Sequence, residues 1–259
     1  MENEFRLFGR DHLVTLGALA ACGALAVFAA RQAGEPARRL LRWLLAFMLA
    51  ACHLTENAVA MWQGWYRIQM LPLEMCDLAA MFGIYSLLTR DVRAVGPAYF
   101  FALTGTLPAL ITPELDVTYP HFRFVTYFLE HGLTVITPLV LVFGLGIVPR
   151  TGAWFRAFLV INICAVPNGL LNATLGTNFM YLSRKPHGPT PFDWFGPWPG
   201  YLVVLEILVL VLFRLLAIPL SALGASRARD PGRTENTGRR ISVGATRLPA
   251  RHERTSPAS

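Results

Sequence analysis

"HLVTLGALAACGALAVFAA" occupies residues 12–30 and contains no Asp, Glu, Lys or Arg. At a rise of 1.5 Å per residue, a helix of this length spans about 28 Å, close to the roughly 30 Å hydrocarbon core of a bilayer. The residues before it mix acidic and basic side chains, whereas a cleaved signal peptide begins with a basic segment. The stretch therefore predicts a retained first transmembrane helix.

Similar apolar runs recur along most of the 259-residue chain. Hydrophobic residues make up 54% of the sequence and charged residues 15%, with a mean hydropathy of +0.45. Soluble domains carry about 25% charged residues, so a soluble fold is excluded. The runs predict an all-α polytopic membrane bundle over residues 1–222. Its seven helices are expected at about 12–30, 40–61, 71–88, 94–111, 121–146, 153–172 and 199–222.

The remaining residues, 223–259, have a different composition. They contain eight Arg and three acidic residues, are rich in Gly, Ser, Thr and Pro, and show no apolar period. Such a segment cannot bury enough apolar surface to fold, so we expect a disordered basic tail. A nucleic-acid-binding domain would instead present a folded basic surface, so no nucleic-acid partner is expected.

The distribution of basic residues predicts the orientation. Seven spans place the connections 31–39, 89–93 and 147–152 on the same side as the tail. With the flanking residues, 17 of the 23 Lys and Arg lie on this side and six on the other. Cytoplasmic segments carry the excess of Lys and Arg, which predicts a cytoplasmic C-terminus and an N-terminus outside. We expect a multi-pass protein of the plasma membrane.

"LPLEMCD", residues 71–77, opens the third predicted helix and places Glu74, Cys76 and Asp77 within four positions. An ionisable side chain in a bilayer costs several kcal/mol and is by default a functional candidate. Measured along the helices, Cys76 and His131 of the fifth helix are expected at similar depth, near the outer boundary. Glu130 precedes His131 directly.

Other polar residues are expected at the same level. They come from the second helix, the end of the sixth helix and the connection after it. The set is His53, Glu56, Asn57, Asn168, Asn172, Asn178 and Tyr181. Polar side chains that only support helix packing need not share a depth, so the sequence predicts a pocket.

Cys76 and His131 form a candidate nucleophile and base. A thiol becomes nucleophilic beside a base or a positive charge, and His131 is the first choice, with His53 second. The alternatives are that Cys76 is a small buried hydrophobic residue, as the other three cysteines are expected to be, and that His131 only packs. Both interpretations stay open at this point.

The remaining charged candidates have less specific roles. Glu74 and Asp77 either bind a cation or lipid headgroup, or pair with Arg123 near the interface. Arg184 and Lys185 are candidates for contact with lipid phosphate. A metal site from His53, Glu56, Asp77 and His131 is not expected, because no HxxxH or HExxH spacing is present. No cofactor is expected.

Five motifs occur in an order that resembles the YwaF-like bacterial integral membrane proteins, related to the transmembrane protein 164 family. They are "LPLEMC", "ITPEL", "HFRFVTYFLEHG", "LNATLGTNFMYLSRKP" and "GPWPGY", and the resemblance covers about residues 50–205. It implies a phospholipid acyltransferase whose cysteine and histidine correspond to Cys76 and His131. Membrane phospholipids or lysolipids would then be its partners.

The expected reaction is two-step acyl transfer through a thioester at Cys76. Oxyanion donors are expected from Asn168, Asn172 or a free helix amide. Water as acceptor would make the same site a lipid hydrolase. The competing class is a transporter or a lipid- or ion-binding membrane protein that uses the same carboxylates.

Overall fold

The computed structural model describes residues 4–186 and 190–229. This part of the chain contains seven helical spans that are long and apolar enough to cross a membrane, as predicted. The α-helices are α1 (Arg10–Gln32), α2 (Glu35–Trp62), α3 (Met75–Thr89), α4 (Val92–Phe101), α5 (Leu107–Ile111), α6 (Phe122–Leu139), α7 (Ala153–Leu175) and α8 (Gly200–Arg229). Short 3-10 turns lie at Ile68–Met70, Phe179–Tyr181 and Pro191–Phe195.

Two of the spans contain a π-helical segment. Ala102–Thr106 joins α4 to α5 within the fourth span, and Val140–Gly144 extends α6 within the fifth. Such segments are rare and often lie at functional sites. The first of them contacts the start of α3.

The described residues up to Ser221 form one compact unit, and the candidate site lies within it. Helix α8 continues to Arg229, seven residues beyond its predicted end. The rest of the predicted tail, residues 230–259, lies outside the described part of the chain.

The fourth and fifth spans form the centre of the bundle. In the most apolar window of Phe122–Gly144, 72% of the residues are buried, and in Val92–Ile111 61%, against 11% in the first span. Aromatic side chains of α4 pack against Phe213 of α8, where the rings of Phe100 and Phe213 lie 5.0 Å apart. The outer helices instead expose apolar side chains over much of their surface, which suits a lipid environment.

Arginine side chains bind helix carbonyl groups at the end of the bundle that carries the 33–34 and 89–91 turns. Arg38 donates to the Ala30 carbonyl at 3.1 Å, and Arg42 donates to the Leu87 carbonyl at 2.7 Å. The last carbonyls of a helix lack intrahelical donors and attract positive charge. Arginines from the predicted cytoplasmic side therefore also stabilise helix ends, and the orientation itself stays a prediction.

The third helix begins later than the sequence suggests. Residues 71–88 were the expected span, but α3 starts at Met75, with Glu74 in extended conformation as its N-cap. Proline disfavours the helical conformation in the residue before it, and Pro72 thus keeps Leu71 extended. As a result Cys76 lies in the first turn of a helix and not well inside one.

Candidate functional site

A reciprocal capping box fixes the start of α3. The Asp77 carboxylate accepts a hydrogen bond of 2.9 Å from the Glu74 N–H, and the Glu74 side chain caps the Asp77 N–H. Cys76 is the second residue of the helix. Within the described structure, the N–H groups of Met75 and Cys76 have no acceptor. Two free amides at the positive end of a helix favour a negatively charged atom held against them.

Helix α7 and the connection after it hold the residues just before Cys76. The Asn168 side-chain amide donates to the Leu73 carbonyl at 2.8 Å, and the Met180 N–H donates to Glu74 Oε2 at 2.8 Å. Both bonds join segments far apart in sequence. They fix the position of the first turn of α3, and with it that of the Cys76 thiol.

Asn172 organises the beginning of this connection. Its Oδ1 accepts from the Thr177 hydroxyl and from the Phe179 N–H, both at 2.8 Å, while its Nδ2 donates to the Phe179 carbonyl at 3.0 Å. All three residues are buried. The side-chain amides of Asn168 and Asn172 thus each donate one hydrogen bond to the backbone of the site, and their role as oxyanion donors stays a prediction.

The next residues adopt an unusual backbone conformation. Met180 and Tyr181 have φ angles of 57° and 53°, a region that costs a non-glycine residue about 1–3 kcal/mol. Asn178 stabilises the turn by accepting from the N–H groups of Ser183 and Arg184. The Tyr201 hydroxyl donates to the Tyr181 carbonyl. Several independent hydrogen bonds hold this strained conformation, in which the Met180 N–H donates to Glu74 Oε2.

Tyr181 itself points toward acidic groups. Burial raises the pKa of its hydroxyl, and the neighbouring carboxylates of Glu114 and Glu74 raise it further. Tyr181 is therefore a neutral phenol at physiological pH. Glu114 lies in the "ITPEL" motif, which brings this motif next to the "NFMYLSRKP" connection.

An acidic cluster surrounds His53 beside Cys76. His53 Nδ1 lies 2.7 Å from Glu130 Oε1 and 3.8 Å from Asp77 Oδ1. Glu56 also contacts the Glu130 carboxyl group. The sequence predicts one level for all four residues, and in the structure they join three separate helices. Imidazole and carboxylate groups are common metal ligands.

His131 is held in a single tautomer. Its Nδ1 lies 3.0 Å from the Tyr127 carbonyl oxygen, and its ring stacks on the Tyr127 ring with centroids 4.1 Å apart. A carbonyl only accepts hydrogen bonds, so Nδ1 carries the proton and Nε2 of the neutral ring keeps its lone pair. That nitrogen is the one available as a base.

Cys76 and His131 lie at the same level of the bundle. A Cβ atom on Gly83 of α3 would come within 3.1 Å of Thr137 Cγ2 of α6, so the two helices touch there. Cys76 precedes Gly83 by seven residues and His131 precedes Thr137 by six. At 1.5 Å per residue, Cys76 and His131 lie about 10 and 9 Å from this contact, measured along their helices. Because the third and fifth spans run in the same direction, the two residues lie at the same level. In the described structure no hydrogen bond joins them directly.

Several predicted site residues lie apart from this centre. Asn57 donates to the His53 carbonyl within its own helix, at 2.9 Å. The Arg123 guanidinium lies over the Trp65 ring at 5.9 Å, and Lys185 contacts the Asp193 carbonyl at 3.4 Å. Arg184 contributes backbone groups to the turn held by Asn178. These residues line the same end of the bundle without joining the cluster around Cys76.

The contribution of the fourth span is not apparent from the sequence. The Thr106 side chain lies next to the Cys76 thiol, and Gly105 packs so closely on Met75 that a Cβ atom there would lie 2.6 Å from Sδ. The Tyr127 hydroxyl donates to the Ala109 carbonyl at 2.8 Å, which ties α6 to α5 beside His131. No local pattern indicates a π-helical segment, although "LTGTLP" offers a small residue for a close contact.

An apolar cavity of about 590 Å³ lies between α1, α6 and the fourth span. Leu103 and Leu107 line it from the fourth span, and Gly132, directly after His131, lines it from α6. Arg31 is the charged residue of its wall, and it donates to the Phe143 carbonyl. A cavity with this lining suits a hydrocarbon chain better than a polar solute.

The fold and the site define a multi-pass helical membrane protein with a polar cluster near one end of its bundle. The sequence matches the TMEM164 family over residues 7–217, and the chain belongs to this family. A comparison with curated proteins finds no match, and neither does a comparison with solved structures. The resemblance to the transmembrane protein 164 family is therefore confirmed over most of the chain.

Proposed function

We propose that the protein transfers acyl chains between membrane lipids through a thioester at Cys76. The observation that carries this proposal is the position of Cys76 in the first turn of α3, beside two amides without acceptors. Free amides at the N-terminus of a helix stabilise an oxyanion that is held against them. His131 shares its level and has Nε2 available as a base.

In the first step the Cys76 thiol gives its proton to His131 Nε2, directly or through one water. The sulfur attacks the ester carbonyl of a phospholipid, a C–S bond forms, and the amides of Met75 and Cys76 stabilise the oxyanion. The ester C–O bond then breaks, and the leaving lysolipid oxygen takes the proton from His131. The products are an acyl-thioester and a lysolipid with a free hydroxyl.

In the second step an acceptor lysolipid hydroxyl gives its proton to His131 Nε2. Its oxygen attacks the thioester carbonyl, a C–O bond forms, and the C–S bond breaks. The sulfur recovers its proton from His131, which returns the site to its starting state. Water in place of the lysolipid would release a fatty acid, and the protein would then act as a lipid hydrolase.

The surroundings of the site support a lipid substrate. Ala79 and Ala80 continue α3 below Cys76 and are buried, and the cavity beside His131 has an apolar lining. A transporter of polar solutes needs a polar path across the bundle, whereas the described part of the central α6 below Thr137 is apolar. The predicted orientation puts the site in the outer half of the plasma membrane. The orientation and the location in the plasma membrane are both part of this proposal.

The test uses full-length protein purified in nanodiscs with a fluorescent phospholipid and a lysophospholipid. We expect acyl exchange, and intact-protein mass spectrometry should reveal an adduct of one acyl chain on Cys76. Cys76→Ala should abolish both signals. His131→Ala should slow transfer by about 10²–10⁴-fold, the range for loss of a general base.

Cys164→Ala is the matched control, because Cys164 is another half-buried cysteine of a membrane span. It should leave transfer unchanged. Fatty acid release without exchange would support the hydrolase instead. If the folded protein gives no exchange, no hydrolysis and no adduct, the enzymatic proposal fails, and a binding or transport role replaces it.

A further inference from the structure

His53, Asp77 and Glu130 offer three donor atoms at one point between three helices. One atom from each residue lies within 4.8 Å of the other two, and each residue belongs to a different helix: α2, α3 or α6. A tetrahedral or octahedral ion with ligand bonds near 2.1 Å separates neighbouring ligand atoms by about 3.0–3.5 Å. The separations from His53 Nδ1 to Glu130 Oε1 and Asp77 Oδ1, 2.7 and 3.8 Å, bracket this range.

The surroundings orient the donors as metal ligands require. Asp77 Oδ2 accepts from the Glu74 N–H, which leaves Oδ1 directed at His53. Second bonds of this kind hold a ligand in place in known metal sites. Glu56 lies one turn from His53 on the same face of α2 and contacts Glu130, so it supplies a third carboxylate and a fourth donor.

The charge balance at this point is an independent reason for a cation. Three carboxyl groups, of Glu56, Asp77 and Glu130, surround one imidazole inside an apolar bundle. Among the described residues, His53 is the basic group within ion-pair distance of these carboxylates, and the Arg123 guanidinium acts on Glu56 from a longer distance. Uncompensated charge is costly in a low-dielectric environment, and a divalent cation would neutralise it while joining α2, α3 and α6.

We infer that His53, Asp77 and Glu130 form a site for one divalent transition-metal ion, with Glu56 as the fourth ligand. The mixed imidazole and carboxylate donors suit Zn²⁺ or Mn²⁺, whereas Ca²⁺ and Mg²⁺ prefer oxygen donors alone. Such a site has no local sequence motif, because its ligands come from three different helices. The inference does not depend on acyl transfer at Cys76.

The first test is the metal content of the full chain, purified without a polyhistidine tag and analysed by plasma mass spectrometry after incubation with ZnCl₂ or MnCl₂ and desalting. We expect about one ion per chain. His53→Gln and Glu130→Gln should each lower the affinity at least 10-fold, since even loss of an outer-shell partner costs 10–100-fold. His121→Asn, which removes a histidine from the N-cap of α6, should leave the content unchanged.

Thermal unfolding provides a second readout that does not require activity. ZnCl₂ or MnCl₂ should raise the melting temperature of the wild-type protein and of His121→Asn, and CaCl₂ should not. The rise should disappear in His53→Gln, provided that the variant unfolds cooperatively without metal. A protein that retains no ion and shows no metal-specific rise would overturn the inference. So would equal metal content in wild type, His53→Gln and Glu130→Gln.

Discussion

Replacing Asn172 with Ala should release the connection that holds the start of α3. The Asn172 side chain is 3% exposed and makes three hydrogen bonds, to the Thr177 hydroxyl and to both backbone groups of Phe179. Ala can make none of them, and the three partner groups remain buried. An unsatisfied buried polar group costs about 1–3 kcal/mol, so three such groups predict a total loss of roughly 3–9 kcal/mol.

Not all of this loss has to appear as global unfolding. The connection can open locally, since its bonds to Glu74 and to Asn178 are few compared with the packing of the helices. Opening breaks the Asn178 hydrogen bonds to the backbone of Arg184, which is already exposed, and lets this segment fit the trypsin active site. At 1.36 kcal/mol per factor of ten, a loss of 3 kcal/mol predicts cleavage roughly 10²-fold faster when opening limits it.

The assay combines thermal unfolding in detergent, followed by tryptophan fluorescence, with the rate of trypsin cleavage at Arg184. Asn162→Ala is the matched control, because Asn162 lies on the same helix and donates to the Phe158 carbonyl and to Glu206 at a more exposed position. It should change stability by no more than about 0.5 kcal/mol. Equal melting temperatures and equal cleavage rates for the two variants would refute the role assigned to Asn172.

Two further predictions concern topology and the tail. A cysteine engineered at position 3 should react with an impermeant thiol reagent in intact cells, because the basic residues predict an external N-terminus. If this cysteine is protected and a cysteine placed in 230–259 is labelled, the orientation is the reverse of the predicted one. Truncation after Gly224 should leave the fold and the metal content intact, because a tail of this composition cannot build a core. Size-exclusion chromatography and thermal unfolding of the truncated protein check this prediction. An aggregated product would contradict it.

The seven spans could be predicted from the sequence because hydropathy is a local property. The run at residues 12–30 gives α1 to within two residues at each end, and the fourth and fifth spans agree similarly well. The common level of the polar residues also followed from counting residues along helices of known rise. These conclusions need no knowledge of which helix contacts which.

The start of α3 was predicted less well. Its hydropathy continues back to Leu71, but Pro72 and the capping box set the first helical residue at Met75. The same error concealed the free amides beside Cys76, since an amide in mid-helix would be occupied. The close packing of Gly105 on Met75 was also not predictable, because it depends on the π-helical geometry of the fourth span.

The sequence by itself determined the membrane-spanning class and the number of spans. It left open whether His131, His53 or neither faces Cys76, and it gave no metal motif. Only the tertiary structure decided that His53 meets Glu130 and Asp77, that His131 donates to the Tyr127 carbonyl, and that Asn168 and Asn172 support backbone. The physical reason is that hydropathy sets a residue's depth along its own helix, whereas its partners depend on the rotation and packing of several helices at once.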